Sequence, residues 1–293
     1  MTASFATQGV PFVLFRSRIS TSMNINLTHL KKVVSFVLFS LLGITFQFLA
    51  SSVYAQNALD NIQRTKTIKI AIPTDYPPYG FVGVDLQPQG LDVEMAQLIG
   101  QKLGVKVELI PVSSPNRVPY LQTKKVDLVI STLGRNAERE KVIDFTHAYA
   151  PYYQAVFGPK SLSIKTFNDL SGKTISATRG SLEDTELTKL APAAAQIKRF
   201  EDSSSTIAAY VAGQVQLVAT GASVATAMIQ KNPQLGAEFK LLIKDSPCFI
   251  GVAKGEDSLR AKVNEVIVAA HKAGDLERLS QKWLARSTGE LPE

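Results

Sequence analysis

The sequence predicts an α/β protein built as two units with mainly parallel strands. Short β-rich runs alternate with amphipathic helical patterns, the order that crossover connections between parallel strands produce. The alternation begins at Thr67 and restarts at Lys173. The chain has 293 residues, 45% hydrophobic and 19% charged, enough for two lobes with proper cores and unlike a disordered chain.

The first unit opens with the β-rich run Thr67–Ile72. A helix follows over Leu91–Leu103, with Leu91, Met95, Leu98, Ile99 and Leu103 on one face and Asp92 suited to its N-terminal end. Val105–Val112 reads as the next strand, a helix lies near Pro119, and Val126–Ile130 is another strand. In the second unit Lys173–Ala177 is a strand, a helix starts at Leu182, and a strand lies near Ile197. A helix then covers Ser205–Ala212 and a strand Gln216–Ala219. Two C-terminal helices carry Val263, Val266, Ile267 and Ala270 on one and Leu276, Leu279 and Trp283 on the other, with Trp283 read as a packing anchor. No internal repeat or low-complexity tract appears.

Residues 1–55 read as an export signal. Lys31 and Lys32 precede an apolar stretch to Ala50, and Val53-Tyr54-Ala55 offers small residues where a signal peptidase cuts. A retained membrane anchor is the alternative, since the stretch has about the length needed to span a bilayer, but Ser35, Ser40, Thr45 and Gln47 weaken it. Met23 opens a more ordinary signal than Met1 does. No Cys follows the apolar stretch to accept a lipid, so a freely soluble periplasmic protein is expected, cleaved near Ala55.

The formal charge of +7 is concentrated in that segment, which holds Arg16, Arg18, Lys31 and Lys32 and no acid. The remainder carries 28 basic against 25 acidic residues, too balanced for a nucleic-acid footprint. The single Cys248 permits no intramolecular disulfide and reads as a small buried hydrophobe. His29, His147 and His271 are widely spaced, so neither a metal centre nor a cofactor is expected.

Gly90-Leu91-Asp92-Val93-Glu94-Met95-Ala96, followed by Leu98-Ile99-Gly100 and Leu103, resembles the signature of the periplasmic solute-binding proteins that serve ATP-binding-cassette (ABC) importers of polar amino acids, solute-binding family 3. The neighbouring motifs fit in order: Tyr76-Pro77-Pro78-Tyr79-Gly80-Phe81, then Val126 to Thr132, Glu138-Arg139, Asp144-Phe145-Thr146, Tyr149 and Gly180-Ser181. The resemblance spans about residues 66–288 and implies the two-lobed, hinged periplasmic binding protein type II fold, each lobe a sheet flanked by helices. It places residues 56–156 and 247–293 in one lobe and 157–246 in the other, with crossings near Phe157 and Pro247.

The resemblance also implies the site. Arg139 would fork onto a ligand carboxylate, a bidentate pairing that Lys cannot copy. Thr132 and Ser181, with Gly180, resemble the hydroxyl and backbone N–H donors that complete the carboxylate shell, and Ser181 would start the helix at Leu182. Tyr76, with Tyr79 or Phe81, would form an aromatic wall, although Pro-Pro-Tyr-Gly-Phe also reads as a rigid turn packed on the sheet. Ser114-Pro115-Asn116-Arg117-Val118-Pro119 resembles the stretch with which glutamate/aspartate-binding members grip a second carboxylate through Ser114 and Arg117.

Three departures stand against this. Gly221 occupies the position where the family usually has an Asp for the ligand's α-ammonium, Gly134 one where a Thr or Ser is common, and Ser203 one where acidic-amino-acid binders have a His. Asp75, Glu183 or Asp184 are substitutes for the missing acceptor, or else solvated loop and helix-end charges. The ligand is then an amino acid held unusually or a carboxylate without an α-amino group. The expected protein is a monomeric binding module that closes on a solute and docks on an inner-membrane ABC permease. An enzyme resembling cyclohexadienyl dehydratase, with Glu183 or Asp184 as general acid, is the alternative. A sensory domain is a third class, which expects a fused transmembrane and signalling region.

Overall fold

The computed structural model describes residues 57–292, so the expected export segment lies outside it. In chain order the first lobe contains α1 (Ala58–Thr65), β1 (Thr67–Ile72), β2 (Asp75–Tyr76), β3 (Gly80–Val82), β4 (Pro88–Gln89), α2 (Leu91–Leu103) and β5 (Lys106–Pro111). A 3₁₀ turn over Ser114–Asn116 leads into α3 (Arg117–Gln122), then β6 (Leu128–Leu133), α4 (Ala137–Glu140) and β7 (Ile143–Ala150). The second lobe contains β8 (Tyr153–Pro159), β9 (Thr174–Thr178), α5 (Leu182–Leu190), β10 (Gln196–Phe200), α6 (Ser203–Val211), β11 (Leu217–Gly221), α7 (Ala222–Lys231) and β12 (Ala237–Asp245). The chain then returns through β13 (Cys248–Ala253) and ends with α8 (Asp257–Lys272) and α9 (Asp275–Leu284).

The first sheet has the order β5-β1-β6-β13-β7 and the second β10-β9-β11-β8-β12. In each, four strands run one way and the strand entered directly after a crossing, β13 or β8, runs antiparallel to both neighbours. The central strand β6 is buried along its whole length, its apolar Leu128–Ile130 as expected in a two-sided sheet and Ser131 and Thr132 with them. One face of the first sheet packs on α2, α8, α9 and Ile62 of α1, and the other carries Leu121 of α3. The second sheet is covered by α6 and α7 on one face and by α5 on the other.

The crossing lies earlier than the sequence suggests. Phe157 pairs with Val218 and Phe239 inside the second sheet, and the chain passes between the sheets at Pro151–Tyr152. The returning strand is tied to it there, Ser246 N donating to Tyr152 O at 3.2 Å. Strand β11 also runs two residues beyond the predicted Ala219, which puts Thr220 and Gly221 at its end. Trp283 packs edge-on against Phe81 at 6.0 Å between centroids and donates its indole N–H to Glu94 Oε1 at 3.1 Å.

Candidate functional site

The turns that follow β6, β9 and β11, together with β2, meet at the seam between the lobes. Arg139 sits in α4, whose start is fixed by Asn136: its side-chain oxygen accepts the Arg139 backbone N–H at 2.9 Å, a helix N-cap. Arg139 is 8% exposed and its guanidinium bridges the lobes, donating to Gly134 O at 2.7 Å and to Gly180 O at 3.0 Å. Burial, helped by the like charge of Arg117, lowers its pKa to about 10, so it stays protonated at neutral pH. Asn136 adds a second bridge by donating to Glu186 Oε1 at 3.3 Å.

Arg117, at the start of α3, is 6% exposed and its Nε finds no hydrogen-bond partner among the described residues. Its charge bears on Asp92, Arg139 and Glu183. A buried cation left in this state calls for an anionic acceptor. Ser114 is half-buried in the preceding turn, and the adjoining Pro115 abuts Gly180 of the other lobe, whose φ of +69° suits a glycine.

Thr132 and Ser181 are already engaged. Thr132 N donates to Asp92 Oδ2 at 2.8 Å, and its φ of +43° is a strained conformation for a β-branched residue. Ser181 N donates to Thr178 O at 3.1 Å, and its hydroxyl caps α5 by accepting from Asp184 N at 3.1 Å. Their backbone N–H groups thus have partners inside the protein. Asp92 sits in the first turn of α2, as expected, but it is wholly buried and also accepts from Tyr149 Oη at 2.6 Å. Burial raises its pKa to about 7, against the pull of these two hydrogen bonds and of Arg117.

Tyr79 Oη reaches the second lobe at Ser223 Oγ, 3.5 Å away, and Tyr76 brings its own polar end to the seam. Its hydroxyl is hydrogen-bonded to that of Tyr152, accepts from Gly221 N at 3.1 Å, and lies 3.5 Å from both Glu183 Oε1 and Thr220 Oγ1. Tyr79 is fully buried at the crossing, donating to Pro151 O at 3.3 Å, while Phe81 is spent on Trp283. Tyr152 carries no motif and escapes a reading based on periodicity, because it lies between two strands.

The substitute acids separate by partner. Asp75 Oδ2 accepts from Ser203 N at 2.6 Å and Ser204 N at 3.3 Å, at the start of α6. Asp184 pairs with Arg199 at 2.7 Å and accepts from Gly180 N at 3.0 Å. Glu183 lies beside Tyr76 Oη: it is buried, its carboxyl raised above the ordinary range by burial and pulled down by its own backbone N–H, Arg117, Ser181 and Arg139. Gly134 leaves room for Leu182 of the other lobe, whose Cδ2 would lie 2.3 Å from an added Cβ. Cys248 is buried and burial pushes its thiol well up, away from thiolate chemistry. No helix among the described residues is long and apolar enough to cross a membrane, and no group of His, Cys, Asp and Glu there could hold a metal ion.

The sequence profile of the bacterial extracellular solute-binding proteins, family 3, matches residues 68–286. The L-cystine-binding protein TcyJ of Escherichia coli (strain K12) is 25% identical over 235 residues, covering 78% of this chain and 86% of that protein. A mutant of ArgBP from T. maritima superposes with a TM-score of 0.73 at 27% identity, covering 78% of this chain and 100% of the other. An ancestral amino acid-binding protein described as a precursor of cyclohexadienyl dehydratase gives a TM-score of 0.69 at 26% identity, with 78% and 99% covered.

Proposed function

Because this chain belongs to the bacterial extracellular solute-binding proteins, family 3, we propose that it is the periplasmic substrate-binding component of an ABC-type amino-acid importer. It captures a small carboxylate-bearing solute, an amino acid or an acidic relative of one, by closing its two lobes, and presents the closed form to an inner-membrane permease. It is exported by a cleaved N-terminal signal, acts as a monomer and uses no cofactor. The observation that carries this reading is the pair of guanidinium groups buried at the seam, Arg139 bridging the lobes and Arg117 lacking a partner for its Nε among the described residues. A solute enclosed between two lobes loses its water, so each of its charges needs a fixed counter-charge.

The test is a thermal-melt screen of the chain from Gln56 onward, a compact unit by itself, refolded to remove bound solute. The panel comprises the standard amino acids, dicarboxylates and keto acids. A ligand at a hundred times its Kd stabilises the fold by about 2.7 kcal/mol, which raises Tm by roughly 5–10 °C in a protein of this size. A flat response across the panel would contradict the reading.

One observation favours a second reading. Glu183 is a buried carboxyl with raised pKa near Tyr76, the environment a general acid needs, so elimination from a prephenate-like acid is the alternative chemistry. Turnover of prephenate that disappears in Glu183→Gln would establish it, and no turnover would leave a binding protein.

A further inference from the structure

If the chain is a solute-binding protein, its ligand can be narrowed further, starting from Gly221. At the end of β11 there is no room for the acid that would hold an α-ammonium. A Cβ on Gly221 would lie 1.9 Å from Oη of Tyr152 and 2.3 Å from its Cζ. The place is taken by a hydroxyl cluster instead: Tyr152 and Tyr76 bonded to each other, Gly221 N donating to Tyr76 Oη, and Thr220 Oγ1 at 3.5 Å. Burial holds both phenols well above their ordinary pKa, so the cluster is neutral. Beside it, Gln154 pairs with Gly221 across the sheet and is fully buried with neither amide atom partnered among the described residues.

The carboxylates around the seam are committed elsewhere. Asp92 is held by Thr132 N and Tyr149 Oη, Asp75 caps α6, and Asp184 is paired with Arg199. Glu183 remains, and it already lies in the field of both guanidinium groups. An ammonium brought to the hydroxyl cluster would exchange water for neutral oxygens and for Glu183, 3.5 Å from Tyr76 Oη, whose charge the two guanidinium groups already balance, which is costly. A carbonyl or hydroxyl oxygen there would meet the one phenolic O–H that the Tyr76–Tyr152 bond leaves over.

We infer that the cleft selects a dicarboxylate bearing an oxo or hydroxyl oxygen, and no ammonium, on the carbon beside one carboxylate, with Tyr152 as the specificity-determining residue. One carboxylate faces Arg139, the second faces Arg117, and the intervening oxygen faces the hydroxyls of Tyr76 and Tyr152. This rests on the binding-protein reading above.

The test is calorimetric titration of the refolded chain with matched pairs that differ only at that carbon, 2-oxoglutarate against L-glutamate and L-malate against L-aspartate. In at least one pair the acid without ammonium should bind at least about tenfold tighter than its amino partner, since a site built for one polar group rejects its replacement. Tyr152→Phe, which keeps the ring and loses the hydroxyl, should weaken the preferred acid by about tenfold and its amino partner by less than about threefold. Tighter binding of L-glutamate, L-aspartate or any other amino acid overturns this inference and leaves the binding-protein reading standing. Equal weakening of both partners by Tyr152→Phe also overturns it. No binding by any dicarboxylate or amino acid overturns both. If Tyr152→Phe does not fold, the ratio within the wild-type pairs decides.

Discussion

Asp75 Oδ2 accepts the backbone N–H of Ser203 at 2.6 Å, so a carboxylate of the first lobe rests on the N-terminus of a second-lobe helix. With Ser204 N at 3.3 Å it joins one element from each lobe. The helix end offers unpaired N–H donors and a partial positive charge, both of which favour a carboxylate.

Asp75→Ala should therefore weaken ligand binding without changing which ligand is bound. A capping interaction contributes about 0.5–2 kcal/mol, so affinity should fall by roughly 2- to 30-fold. Titration of this variant checks it, and an unchanged affinity would show that the contact does not help hold the closed state.

Gly134 should not accept the hydroxyl residue its position suggests. A Cβ there would lie 2.3 Å from Leu182 Cδ2 across the seam, so Gly134→Ser should impair closure and lower affinity by about tenfold. Adding Leu182→Ala should recover part of the loss by clearing the space. Tighter binding by Gly134→Ser alone would contradict the steric account.

Asp92 gives a pH dependence of definite sign. Burial raises its pKa from 3.8 to about 7, so the folded state holds a proton that the unfolded chain has released across that interval. The contribution to stability is complete below about pH 4 and is lost as pH rises toward about 7. In Asp92→Asn this part of the decline should vanish. Urea midpoints of both proteins at pH 4, 5.5 and 7 check it, and parallel slopes in the two proteins would contradict it.

How legible the molecule was in the sequence depends on the kind of signal. The strands β1, β6, β9 and β11 and the helix α2 announce themselves by period and apolar runs. The antiparallel strands β8 and β13 do not, because neither is linked to a helix by a crossover of its own sheet. Arg139 could be singled out by its motif, and its lobe-bridging hydrogen bonds to Gly134 and Gly180 follow from backbone geometry that no motif encodes. Asp92 reads correctly as a helix-start acid, and its further partners, Thr132 N and Tyr149 Oη, are hidden because they are distant in the chain. Tyr152 was missed for the same reason: its role depends on the absence of a side chain at Gly221. Phe81 shows the converse, an aromatic offered for the site by its motif and packed edge-on against Trp283 instead.

The most direct test of the central claim, that the lobes close on an anionic solute gripped by two buried guanidinium groups, is calorimetric titration of the best ligand into wild type, Arg139→Ala and Arg117→Ala. Removing one partner of a buried charge pair costs about 2–5 kcal/mol, so each variant should lose at least about thirtyfold in affinity. The account predicts that loss in both, with each variant's melt without ligand still cooperative. Retention of near-wild-type affinity in either variant would contradict it.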